Sequence, residues 1–260
     1  MATERRSTDP GPHARVALVT SGHKRIGRAI ALHLAVQGWD LAIHYRQDAP
    51  LADEVLDFAW KSGRKAVCFQ AELTDPEAVQ AMVEAVTAAF GRLDLVVAAA
   101  AGYVATPLAT LTAATLDRIL AENARAPVDL VLRCAGLLRA SGDGRAIVLG
   151  DLAAVTPFAG YLAHSMAKAA LHAGIRGLAA ELAPAIVVNG IVPGAVLQPE
   201  VEDDTVWAAL QRRVPMGQLA LTDPDVSVAG IVDAVQYLAT CSRYVSGSLV
   251  VVDGGRTARW

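Results

Sequence analysis

VALVTSGHKRIGRAIALHLA, residues 16–35, decides the fold of this chain. Its first four residues, Val16 to Val19, form an apolar run with the length and branching of a buried strand. Thr20, Ser21 and Gly22 break that pattern. From Ile26 the spacing turns helical. Ile26, Ala29, Ile30 and Leu34 share one face, and Gly38 suits the position past the helix end. A strand, a glycine-bearing turn and a helix present backbone N–H groups and a helix N-terminus to a phosphate. Gly27 permits close approach, and Lys24, Arg25 and Arg28 add positive charge. The same turn also suits any doubly wound protein as a tight corner, so the rest of the chain decides its use.

Downstream, strand-length apolar runs alternate with helical spacing. Residues 41–44, 66–69, 93–99, 145–149, 186–191 and 249–252 read as strands. Helices are predicted over 50–61, 76–90, 111–139, 161–182 and 224–239. Asp75 or Thr74 can cap the second of these, with Pro76 at its first position and Gly91 past its end. The alternation predicts an α/β fold: one doubly wound, Rossmann-like parallel sheet of about seven strands, helices on both faces, and a ligand at the C-terminal strand edges. Residues 1–14 read as a disordered tail and 15–260 as a single domain, with the Pro-rich irregular stretch 193–215 as a substrate lid.

Composition is consistent with that domain: of 260 residues, 53% are hydrophobic and 19% charged, enough for a sizeable core. A net charge of −3 and a pI near 6.1 give no electrostatic footprint for nucleic acid. The longest apolar run, 95–101, is too short to span a bilayer, and the first 14 residues lack the apolar stretch of a signal peptide. Cys68, Cys134 and Cys241 are odd in number and far apart, which predicts reduced thiols in a cytoplasmic protein. Cys and His show no metal-ligand spacing.

Several pieces, in order, resemble the short-chain dehydrogenase/reductase family from Arg15 to Gly255. They are the Thr20-to-Gly27 turn, Asn123, Lys168, Val188-Asn189-Gly190-Ile191-Val192-Pro193-Gly194, and Tyr244-Val245-Ser246-Gly247 followed by Val252-Asp253-Gly254-Gly255. Within the family the resemblance leans towards the pteridine reductases. Lys24-Arg25-Ile26-Gly27 has arginine where most relatives carry glycine, His44-Tyr45-Arg46 follows the second strand, and Asp151 stands at a site usually held by serine. The resemblance implies NADPH along Thr20, Ser21, Gly22, Lys24, Arg25, Ile26 and Gly27, then His44, Tyr45 and Arg46. Glu72 and Leu73 would lie on its adenine side, and Ala99, Ala100, Lys168, Pro193 and Gly194 further along. The residues agree: no acid ends the second strand to accept from a ribose 2′-OH or repel a 2′-phosphate, and Arg25 and Arg46 can pair with that phosphate. The family's usual assembly implies a homodimer or homotetramer.

The chain also departs from the family. Ser21 replaces the first glycine of the turn, and Ala98-Ala99-Ala100-Ala101 replaces two asparagines whose hydrogen bonds tie the fourth strand, which is expected to loosen the cofactor. Four residues before Lys168, where the family has its catalytic tyrosine, stands His164, on the same helix face as Lys168. The expected catalytic set is Asn123, Asp151, His164 and Lys168, with Tyr103, Asp151, Tyr161, His164, Val196 and Trp207 against a small-molecule substrate. Three readings follow. The first is hydride transfer to a C=N, iminium or hemiaminal carbon of a small heterocycle, which needs little proton donation and would suit the making or detoxifying of a secondary metabolite. The second is carbonyl reduction with His164 or Tyr161 as acid. The third is a non-redox protein, a cyclase or binding protein, on the same fold.

Overall fold

Strands that are apolar at every position must be covered on both faces. Val16–Val19 (β1) is buried at all of its residues, and so is Leu95–Ala98 (β4). In the computed structural model, which describes residues 14–47, 49–198, 204–223 and 225–258, these strands lie at the centre of one sheet. The others are Asp40–Tyr45 (β2), Ala66–Gln70 (β3), Gly144–Leu149 (β5), Ile186–Pro193 (β6) and Leu249–Val252 (β7). The order is β3-β2-β1-β4-β5-β6-β7 and every pairing is parallel.

Side chains alternate across the sheet, and the two cores follow from that alternation. Val16, Leu18, Val96, Ala146 and Val148 point into one core, against Pro76–Phe90 (α3), Ala126–Ala140 (α5) and Leu162–Leu182 (α6). Ala17, Val19, Val97 and Ile147 point into the other, against Arg25–Val36 (α1), Ala49–Lys61 (α2) and Asp225–Thr240 (α9). The α3 ends are those the sequence implies: Asp75 accepts from Glu77 N and Ala78 N, and Gly91 is left-handed at φ 71. The strand order reverses between β1 and β4, and the crevice at their C-terminal ends is where ligands bind in such sheets.

Two expectations are corrected. The helix predicted over 111–139 is Ala113–Leu120 (α4) and α5, joined through a π-helical turn at Ala121–Arg125. Asn123, only 1% exposed, sits in that turn. Its Nδ2 donates to Ile119 O at 3.2 Å, and its Oδ1 accepts from Gly102 N at 3.1 Å. The wide turn therefore lets one side chain tie the loop after β4 to the helix. The lid is not wholly irregular: Asp204–Gln211 (α7) lies within it and Gly217–Thr222 (α8) follows it. The predicted tail lies, up to residue 13, outside the described residues. No helix among the described residues is long and apolar enough to cross a membrane.

Removing the tether leaves a loop N–H and a helix carbonyl without their partner. Asn123→Ala is therefore expected to cost about 2 kcal/mol, read as a lower thermal midpoint, whereas Gly136→Ala, which has open space at its Cβ, should not lower it.

Candidate active site

The turn after β1 is closed by backbone and small side chains. Thr20 Oγ1 accepts from Ala99 N at 2.8 Å and Ala100 N at 2.9 Å, tying β1 to β4 across the switch point. This hydroxyl holds the strand end where the sequence lacks asparagines. Ser21 and Arg25 both have φ 50, the left-handed region in which glycine is at ease. Gly27 has no room for a side chain, because a Cβ would run into the Ser21 carbonyl. Gly22 is confined likewise, with a Cβ standing 2.9 Å from Val19 O. The first turn of α1 carries no acid, and its N-cap, Lys24, makes no capping bond. That helix end suits an anionic phosphate.

His44 is expected at the cofactor; the structure places it in the wall behind. Its ring is 2% exposed, with Nδ1 accepting from Ser21 N at 3.2 Å and Nε2 at 3.1 Å from Ala71 O. The ring must be the neutral Nε2–H tautomer to make both bonds. Burial drives its pKa down to about 4. His44 thus positions the turn. Tyr45 is half-buried with its ring edge-on to His23 at 6.1 Å, and Arg46 lies exposed, paired with Glu72 at 3.7 Å. Leu73 packs into the core beside α3.

Across the crevice, α6 carries His164, Lys168 and His172 at successive i, i+4 positions, so all three face the end of β5. Lys168 is 3% exposed and donates to Leu149 O at 3.0 Å. Burial pushes its pKa down to about 8, against the charge of Asp151. The carboxylate of Asp151 accepts from Ala153 N at 2.7 Å and meets His164 Nε2 at 3.2 Å. Burial alone would raise its pKa. The hydrogen bonds from His164 and Ala153, with the charge of Lys168, outweigh that and hold it below the usual carboxylate range. The carboxyl is therefore ionised at neutral pH.

His164 is the main correction. It is expected to face the substrate, yet it is 2% exposed and does not line the cleft. It stands behind Asp151, with the Tyr103 ring edge-on to it at 5.2 Å. Nδ1 has no hydrogen-bond partner among the described residues, which suits an Nε2–H donating to Asp151 and a bare Nδ1. His172, which is not among the expected site residues, belongs to the site wall: its Nε2 accepts from Asp151 N at 3.4 Å. Burial, then Lys168 and Arg176, lower its pKa. The signal for it was the third place in the stripe of 164, 168 and 172.

The remaining predicted residues converge on one cleft of about 850 Å³. Ser21, Lys24, Arg25, Ile26 and Gly27 line one part of it, with Ala99. Asp151, Lys168, Tyr103 and Tyr161 line the middle, where the two tyrosine rings stack at 4.7 Å. Pro193, Gly194, Val196 and Trp207 form the lid side. Arg25 reaches the base of the lid, donating to Gln198 O at 2.9 Å. Asn123, Thr20, Gly22 and Ala100 brace the cleft from outside it. No group of three or more His, Cys, Asp or Glu among the described residues could hold a metal ion. The close-packed glycine turn, the uncapped end of α1 and the ammonium of Lys168 do fit a nicotinamide dinucleotide.

Residues 21–257 match the family described as enoyl-(acyl carrier protein) reductase. The chain is 29% identical over 265 residues to a cyclohexanol dehydrogenase of Rhodococcus sp. (strain TK6), covering 94% of this chain and 96% of that one. It is 27% identical over 247 residues to a dihydromonapterin reductase of Klebsiella pneumoniae, covering 94% and 98%. A solved dehydrogenase/reductase from Sinorhizobium meliloti 1021 superposes with a TM-score of 0.83 at 31% identity, over 95% of each chain.

The bridge through His44 makes the turn sensitive to acid. The folded ring titrates near 4 and an unfolded one near ~6.5. Its contribution is whole above pH 6.5 and is lost as pH falls towards 4, by on the order of 3 kcal/mol. Thermal midpoints measured from pH 7.5 to 4.5 should fall less steeply in His44→Gln than in the parent protein.

Proposed function

The chain belongs to the short-chain dehydrogenase/reductase family, and we propose that within it the protein is an NADPH-dependent reductase of a C=N, iminium or hemiaminal carbon in a small heterocycle. One observation carries this reading: the cleft wall presents an ionised carboxylate, Asp151, beside Lys168, while the residue at the family's tyrosine position, His164, is turned onto that carboxylate. When bound, the cofactor supplies a hydride. Hydride addition to C=N⁺ yields a neutral amine with no proton needed at carbon or nitrogen. Asp151 keeps a basic ring nitrogen protonated, and so electrophilic, where a neutral wall would not. Lys168 reaches the cleft from beneath and would hold the ribose. His164 fixes the direction of the Asp151 carboxylate. From that place, outside the cleft lining, it is not positioned to protonate a hemiaminal hydroxyl. The relative named for dihydromonapterin supports the reading.

NADPH rather than NADH is supported by the end of β2, where His44, Tyr45, Arg46 and Gln47 include no acid. Arg46 is exposed and held only loosely, at 3.7 Å, by Glu72. Arg25 is exposed at the turn itself.

A second reading, carbonyl reduction, rests on Tyr161. Its ring lines the cleft, stacked between Tyr103 and Phe158 at 4.7 and 4.9 Å. The relative named cyclohexanol dehydrogenase is in keeping with it. The two readings separate by substrate. For 3,4-dihydroisoquinoline at pH 8, Asp151→Asn should lower kcat/KM about 100-fold, while Tyr161→Phe leaves it near the parent value. The permanently charged N-methyl iminium should be much less affected by Asp151→Asn. Turnover of ketones but of no imine, abolished by Tyr161→Phe, would establish carbonyl reduction instead. For the cofactor, Arg46→Ala should raise KM for NADPH about 10-fold and leave KM for NADH unchanged.

A further inference from the structure

Among the described residues, five cationic side chains line the cleft against one carboxylate, Asp151. Three have a place in the reading above: Lys24 and Arg25 on the turn after β1, and Lys168 beneath the centre. Arg213 and Arg256 do not. Arg213 follows α7 at the end of the lid, and Arg256 opens the 3₁₀ turn Arg256–Ala258 after β7. The two segments are held face to face. Met216 N donates to Gly254 O at 3.0 Å, and a Cβ on Gly254 would stand 2.7 Å from Val214 Cγ1. Both arginines line the cleft, on two segments held together along one side of it.

Neither guanidinium has a carboxylate partner among the described residues. The nearby acid, Asp253, directs one oxygen to Gly255 N at 2.9 Å and the other to Thr257 N at 2.8 Å and Thr257 Oγ1 at 2.6 Å. The strand that leads to Arg256 lies away from the turn. β7 lies four strands from β1, about 19 Å at the ordinary strand spacing.

We propose that Arg213 and Arg256 form a carboxylate-binding subsite, so that the substrate is a heterocycle carrying an acid group, an imino acid in its C=N form. The ring chemistry rests on the functional reading above; the acid-binding half stands on the cleft alone. A guanidinium offers a planar fork of donors that matches a carboxylate. With Asp151 at the nitrogen and the arginines at the acid, the two ends of a zwitterionic ring are told apart and its orientation is fixed.

Isoquinoline-3-carboxylate and isoquinoline-3-carboxamide are aromatic rings that are not reduced under these conditions; they match in size and shape, and only the first carries an anionic acceptor pair. Each is titrated into the NADPH-loaded protein, with nicotinamide fluorescence as readout. The acid is expected to bind about 10-fold or more tightly than the amide, with the preference shrinking in added salt. It should weaken in Arg213→Gln and in Arg256→Gln and vanish in the double variant, with NADPH affinity unchanged in all three. Equal binding of acid and amide overturns the proposal, as does a preference that survives in the double variant. A loss of NADPH affinity in the variants also overturns it, by assigning the arginines to the cofactor. Failure to reduce 3,4-dihydroisoquinoline alongside a sound acid preference would instead refute the imine chemistry and leave the subsite standing.

Discussion

A buried ammonium organises the C-terminal edge of β5. Lys168 is 3% exposed, and Leu149 O accepts one of its three N–H bonds. Burial lowers its pKa only to about 8, so it is still mostly cationic at neutral pH. A cation in that position requires a compensating anion. Asp151 supplies it, and each of the surrounding groups follows from keeping that carboxylate ionised. Ala153 N and His164 Nε2 donate to it, and His172 stays neutral to accept from its backbone N–H. The three helix residues act as one device because their spacing puts them on one stripe of α6.

The turn after β1 shows the opposite economy, with local strain kept in place by its neighbours. Ser21 and Arg25 each hold a left-handed backbone, a state that costs a residue with a Cβ roughly 1 kcal/mol. His44 takes up the Ser21 N–H, and Arg25 reaches across to Gln198 O. An arginine here rather than a glycine gives up backbone ease. In return it places positive charge on the turn and joins that turn to the base of the lid, so the two sides of the cleft are mechanically linked at its mouth.

Much of this was legible from residues alone, because period and end signals are local. The β1–α1 unit, the Asp75-Pro76 start and Gly91 stop of α3, and the parallel doubly wound sheet all follow from apolar spacing and caps. What escaped is what depends on packing between distant segments. The π turn at Asn123 puts a side-chain acceptor against a loop after β4 that is distant in sequence. The helix α7 lies in a stretch whose prolines suggested irregular chain. His44 and His164 look like contact residues by position, yet burial turned one onto backbone and the other onto a carboxylate. Helix spacing told which face His164 occupies; it carried nothing about how far along that face the cleft extends.

The turning of His164 has a consequence for charge along a reaction path. A carboxylate on the wall penalises any alkoxide forming near it, since two like charges 4 Å apart repel by about 4 kcal/mol at an effective dielectric of 20. A site built for ketones would thus work against its own product, unless a phenol such as Tyr161 delivered its proton early. An iminium has the reverse profile: its charge vanishes as hydride arrives. Stabilising that cation does not by itself speed the transfer, because the bound state gains at least as much as the transition state. The gain lies one step earlier. An anion beside a basic nitrogen raises that nitrogen's pKa, so a ring that is mostly a neutral imine in water would be held as the reactive cation in such a cleft. Under the proposed imine chemistry, Asp151 would select the protonation state of the substrate, and His164, 3.2 Å from its carboxylate, would keep it pointed at the place where that selection is made.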